Sequence, residues 1–160
     1  MVYNLKKFVP SINKQVMTSI IKSLIIFILS FIVTKSSAQS SSDKQDIVVK
    51  IVNVKSDEGK IYVGLYDSEN SFLKTTYRGQ VLAIENNTCK TIFKDVPSGE
   101  YAISIYHDVN SNAKLDKNFL GIPKEDYTCS NGAMGFMGPP KWNDAKFILE
   151  NSTSYQELKF

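Results

Sequence analysis

The chain has 160 residues, with 19 Lys and Arg against 16 Asp and Glu, a formal net charge of +3, one His and two Cys. Lys6, Lys7, Lys14, Lys22 and Lys35 all precede the first acidic residue, so the 14 basic and 16 acidic side chains after residue 38 leave that part at −2. A nucleic-acid surface needs Lys and Arg clustered in the folded part, which excludes that class, and about 122 residues suit a single core rather than several domains.

The apolar run LIIFILSFIV, 24–33, sits among only twelve uncharged residues between Lys22 and Lys35. A helix needs roughly 20 such residues to span a bilayer. With basic residues before it and TKSSAQ after it, where small Ser36 and Ala38 match a cleavage site, segment 1–38 reads as a secretory signal peptide cut after Ala38. Met17 offers an alternative start with a leader of ordinary length, and an uncleaved anchor is the competing reading. The mature protein is expected in the periplasm or outside the cell, without a membrane span of its own.

SSSDKQ, 40–45, is polar and lacks periodicity, so 39–45 is expected to be a flexible arm and 46–160 the fold. Short β runs follow: DIVVKIVNV (46–54), KIYVGLYDS (60–68), CKTIFKDV (89–96), GEYAISIYHD (99–108), AKFILE (145–150) and SYQELKF (154–160). Ile61, Val63 and Leu65 alternate with Tyr62, Gly64 and Tyr66, and Ile103 and Ile105 alternate with Ala102 and Ser104. Period two predicts strands, and turn signals such as SDEGK and VPSGE separate them. A weaker stretch near 81–84 adds one more. The count predicts an all-β protein, an antiparallel β-sandwich of about seven strands.

The stretch 108–141 does not alternate. A connection this long is usually functional or internally organised, which makes it the place to look for a site. Asp108, Asn110, Asn112 and Asp116 fall at positions 1, 3, 5 and 9 of a calcium loop, with Lys114 at position 7, where a backbone carbonyl suffices. Calcium takes six to eight hard oxygens, and a tight loop offering one at alternate residues wraps it. Two positions depart: Ala113 stands where such loops turn at Gly, and Phe119 where a bidentate Glu closes the shell. Glu125 or Asp126 could complete the set from the far side. The alternative is a polar turn, in which Asp and Asn bind their own backbone without an ion.

Tyr127, Phe136 and Trp142 surround the Gly- and Pro-rich GAMGFMGPP and could present flat rings to a sugar or peptide; otherwise they fold back over the sandwich. Cys89 and Cys129, in an oxidising compartment, are candidates for a disulfide closing about 40 residues, worth ~3 to 4 kcal/mol on the chain-entropy model; separate thiols are the alternative. His107 shares the parity of Ile103 and Ile105, which predicts a core histidine, and neighbouring Asp108 points to the opposite face. No nucleophile elbow, phosphate loop or zinc spacing is present.

HDVNSNAKLDKNFLGIPKEDY (107–127), SNGAMGFMGPPKWNDAKFIL (130–149) and the F-x-x-V-P-S-G-x-Y-A string (93–102) together resemble the secreted bacterial domain-of-unknown-function family numbered 2141, from about 49 to 149. The resemblance implies a prealbumin-like or immunoglobulin-like sandwich in the periplasm or outside the cell, with no established activity. The D-x-N-x-N-x-x-x-D string is also similar to calcium loops of the B-type repeats of surface adhesins, which carry an acidic residue where Phe119 stands. The resulting expectation is an exported, non-catalytic binding or structural module for a sugar, peptide or protein ligand, with calcium as the one candidate cofactor. A secreted hydrolase using His107, and an adhesion or assembly component using the aromatic loop, are its rivals.

Overall fold

The computed structural model describes residues 13, 15–19, 22–23 and 43–160 except 137. The chain divides into two compact units, Met1–Gln39 and Ser40–Phe160. In the first, 15–19 and 22–23 are helical; apart from these and residue 13, the expected signal peptide, with 39–42 of the expected arm, lies outside the described residues. Among the described residues no helix is long and apolar enough to cross a membrane. Both hydrophobic clusters found among the described residues lie in the second unit, which therefore carries a core of its own, the requirement for independent folding.

Among its described residues that unit has eight strands: β1 (Lys44–Val52), β2 (Lys60–Tyr66), β3 (Arg78–Leu82), β4 (Cys89–Pro97), β5 (Gly99–Asp108), β6 (Tyr127–Cys129), β7 (Phe147–Leu149) and β8 (Ser154–Lys159). One sheet has the order β4-β1-β8; the other runs β3-β2-β5-β6, with β7 also pairing β5. The β7 pairing uses residues 99–101 of β5 and the β6 pairing uses 104–106, so the two short strands share one edge. A single core draws on both sheets: Ile47, Val49 and Ile51 of β1 meet Ile61 and Leu65 of β2 and Ile103 of β5, all fully buried. This is the sandwich that the period-two alternation predicts.

Three expectations change in detail. β8 pairs β1 in parallel, from Ile47 opposite Ser154 to Val52 opposite Lys159, whereas every other pairing is antiparallel. A parallel pair needs a long crossover, and here nearly the whole domain separates the two strands. The strand count is eight, because YTC at β6 is too short to show alternation and forms only where the edge of β5 offers Ser104, Ile105 and Tyr106 as partners. β1 also begins at Lys44, inside the expected arm, because β4 supplies Pro97 and Val96 opposite Lys44 and Gln45.

A second cluster covers the outer face of the five-stranded sheet at one end. Tyr66, Phe72, Ala102, Cys129, Ala133, Trp142 and Ala145 are all buried there. The Phe72 ring meets Tyr66 at 5.3 Å and Trp142 at 5.7 Å, both edge to face, the arrangement that ring quadrupoles favour. This cover explains why Tyr66 and Ala102, on the parity opposite the main core, are buried too. At the other end the outer face carries a row in register, Val81, Tyr62, Tyr106 and Tyr127, with the Tyr62 and Tyr106 rings stacked at 4.9 Å.

Candidate functional site

β5 delivers His107 and Asp108 to opposite faces. His107 is 2% exposed on the core side, where its Nε2–H donates to the Glu58 carbonyl at 2.7 Å and its ring lies 6.3 Å from that of Phe160. A carbonyl only accepts, so Nε2 is the donor in this bond. The packed histidine predicted by parity is what the structure contains. Gly59, at φ +75, lets β2 start hard against this point: a Cβ there would lie 2.1 Å from the Asp108 carbonyl oxygen.

Asp108 opens the loop and is fully buried. Its Oδ1 accepts the Asn112 N–H at 3.1 Å and its Oδ2 the Ala113 N–H at 2.8 Å. Asn110 Oδ1 also accepts the Asn112 N–H, and Asn112 Oδ1 accepts the Lys114 N–H at 2.8 Å. These are bonds from short polar side chains to backbone just ahead, the turn chemistry of Asx residues. Ser111 at φ 57 and Ala113 at φ 62 make the turns in the left-handed region without glycine, each at a cost of roughly 1 kcal/mol.

The far side of the loop then closes on the near side. Asp116 receives Asn110 Nδ2 at 2.8 Å and Asn112 Nδ2 at 3.1 Å. Glu125 bridges both flanks: Oε1 accepts the Val109 N–H at 3.2 Å and Oε2 the Asp116 N–H at 3.0 Å. Of the two acids able to return, Glu125 does so, and Asp126 instead pairs with Lys55 at 2.8 Å. Asp108, Asn110, Asn112, Asp116 and Glu125 thus form one connected network, which Lys114 joins through its backbone N–H. Phe119, at position 12, is 95% exposed and takes no part. Among the described residues no group of three or more His, Cys, Asp or Glu forms a metal cluster. Every buried side-chain polar atom among them has a hydrogen-bond partner.

Tyr106 borders this loop on the outer face. Burial, more than its neighbours Tyr62, Asp108 and Glu125, pushes its phenol up to about 12, so it stays a neutral hydroxyl.

The three aromatic residues expected to bind a ligand together are not one surface. Trp142 is buried in the second cluster, Tyr127 lies half-buried in β6 opposite Tyr106, and Phe136 is 91% exposed. Trp142 is spent on packing because a long connection needs an apolar anchor to order its backbone. Ser130 clips the same region: its hydroxyl accepts the Ile103 N–H at 2.9 Å and donates to the Ala145 carbonyl.

Of the two readings of the cysteines, the structure has separate thiols: Cys89 and Cys129 are both free. Cys89 packs against the main core from β4, while Cys129 lies in the outer cluster, so the five-stranded sheet separates them. Bridged cysteines need Cα atoms within about 7 Å. Burial pushes the Cys89 thiol up to about 11 and that of Cys129 up to about 12.

Two features escaped the sequence: the outer-face row of Tyr62, Tyr106 and Tyr127, and the outward turn carrying Phe119, Leu120 and Ile122. Alternation places Tyr62 and Tyr106 on one side of their strands, but only the register brings them together. The turn reads in the sequence merely as a failed calcium ligand.

No curated protein and no solved structure matches the chain. A family model does, that of an uncharacterized protein conserved in bacteria (DUF2141), over residues 49–156, a span that holds the converging loop and all but the ends of the sandwich. The chain belongs to that family.

Proposed function

We propose that this protein is an exported, non-catalytic binding or structural module, a prealbumin-like or immunoglobulin-like sandwich that offers the loop 108–126 as its working surface. The observation that carries this reading is the position of the reactive groups. The sole histidine is inside the core and bonded to a backbone carbonyl. Both thiols are pushed far above neutrality by burial, and the hydroxyl of Ser130 is buried between two backbone groups. A nucleophile needs an adjacent base within reach and access to substrate, and these groups are occupied elsewhere.

Alkylation by iodoacetamide at pH 8 tests the reading. Thiolates are the reactive form, so both cysteines should label far more slowly in the native chain than in urea. Fast native labelling of either thiol would favour the hydrolase. Export is tested separately by the mass of the protein recovered from the cell envelope or medium, which should begin at Gln39.

A second reading is favoured by the convergence of Asp108, Asn110, Asn112, Asp116 and Glu125. It is that calcium braces this loop. These side chains carry hard oxygens of the kind calcium takes, and an ion would replace the N–H groups that the carboxylates of Asp108, Asp116 and Glu125 now accept. Calcium would be held by those side chains and the Lys114 carbonyl, and would supply positive charge that pins the loop. Binding only to the native state raises its unfolding midpoint by mass action. Millimolar calcium should therefore raise the midpoint over that in EGTA for the wild type and not for Asp116→Asn; superimposable wild-type curves would leave the loop a polar turn.

A further inference from the structure

At the tip of the loop the chain exposes three apolar side chains within four residues: Phe119 at 95%, Leu120 at 68% and Ile122 at 56%. The turn that carries them is held from within. Asn118 Oδ1 accepts the N–H groups of Leu120 at 2.9 Å and Ile122 at 3.0 Å. The Asn118 N–H donates to the Ile122 carbonyl, and the Gly121 N–H to the Asn118 carbonyl. Below the turn, the Lys124 N–H bonds the Asp116 carbonyl and Lys117 bridges to Pro123, which makes a short neck. The apolar tip is therefore preorganised, with most of its backbone donors already satisfied.

Charge is sorted around that neck. Lys114, Lys117 and Lys124 are exposed, and the ion pairs among the described residues use other lysines: 50, 55, 146 and 159. The acids of the same loop face inward or are engaged, Asp108, Asp116 and Glu125 by loop N–H groups and Asp126 by Lys55. A domain that is net negative thus turns a positive collar outward around an apolar tip.

We propose that this turn docks on an anionic lipid surface, with Phe119, Leu120 and Ile122 entering the interfacial zone and Lys114, Lys117 and Lys124 meeting headgroup phosphates. Apolar side chains beside lysines are the combination that binds anionic interfaces, through buried area and electrostatic attraction together. Unsatisfied backbone is costly in lipid, and the Asn118 bonds meet that cost in advance. A protein groove would use the apolar side chains but has no need of three unpaired lysines, so the collar favours lipid. The inference rests on the binding-module reading and gives that module its partner.

The test is flotation of the unit Ser40–Phe160 with vesicles of equal parts phosphatidylcholine and phosphatidylglycerol, with and without millimolar calcium, against vesicles of phosphatidylcholine alone. The wild type should prefer the anionic vesicles, and raised salt should weaken it. A Phe119→Ser, Leu120→Ser double variant should lose about tenfold or more of the partitioning, and Lys117→Glu, Lys124→Glu should abolish the anionic preference, with thermal midpoints unchanged because these side chains are exposed. No anionic preference in either buffer, or binding that the double variant leaves intact, would overturn the proposal. So would a dimer in solution that the double variant dissolves, which would assign the tip to a second copy of the chain. Each of these failures leaves the module reading standing, since slow thiol alkylation tests that without lipid.

Discussion

Two connections, 108–126 and 130–146, look alike in the sequence, rich in turn residues and without alternation, yet the molecule orders them by opposite means. The first is held by short polar side chains that accept backbone N–H groups, and its apolar residues point outward. The second sinks Ala133, Trp142 and Ala145 against Tyr66 and Phe72. Both must offset about 1–2 kcal/mol of backbone entropy for each residue fixed. Burial does so by hiding Ala133, Trp142 and Ala145, while Met134 and Phe136 of the same connection stay exposed; internal hydrogen bonding leaves Phe119, Leu120 and Ile122 all free for a partner. Exposure of Phe119 is thus a consequence of how its loop is ordered.

Removing the anchor of the second connection is the severest way to break the comparison. Trp142→Ala should cost about 3–5 kcal/mol in chemical denaturation and loosen 130–146 while leaving the network at Asp108 intact. Alkaline pH should sharpen the contrast next. Burial raises the thiol of Cys129 to about 12 and also raises the Tyr66 phenol, both in the second cluster. A group that holds its proton more tightly when folded contributes stability that is complete below its unfolded pKa, near 9, and is lost as pH climbs toward the folded value. The loss from Cys129 between pH 9 and pH 12 should be on the order of 3 kcal/mol, and Cys129→Ala should flatten that limb of the denaturation profile. The smallest effect belongs to the polar loop. Asp108→Ala strands the Ala113 N–H, while the Asn112 N–H keeps Asn110 Oδ1, for about 1–3 kcal/mol, and hydrogen exchange should quicken most at Ala113 with little change in 130–146.

How far the sequence reaches follows the range of the interactions. Alternation in Ile61, Val63 and Leu65, and in Ile103 and Ile105, is a property of one strand at a time, and it locates the sandwich, the core face and the buried His107. The Asp and Asn spacing is equally local and leads to the loop whose polar side chains form one network. Partners distant along the chain carry no such mark: the parallel register of β1 with β8, the edge that lets β6 form, and the return of Glu125 to Val109 and Asp116 all depend on closure of the whole domain. Trp142 illustrates the same limit, since one aromatic ring beside GPP reads equally as a binding platform or a plug until Phe72 is seen against it.

The parallel pairing of the first and last strands has a mechanical meaning. From Ile47 opposite Ser154 to Val52 opposite Lys159, the ladder runs in one direction, so β1 takes up tension at its beginning and β8 at its end, at opposite ends of the same row of hydrogen bonds. Force applied between the two ends of the domain loads those bonds side by side in shear, and they must yield together rather than unzip one after another. A domain tethered to a surface by one end and pulled by the other would resist extension first through this row, with the main core still closed behind it.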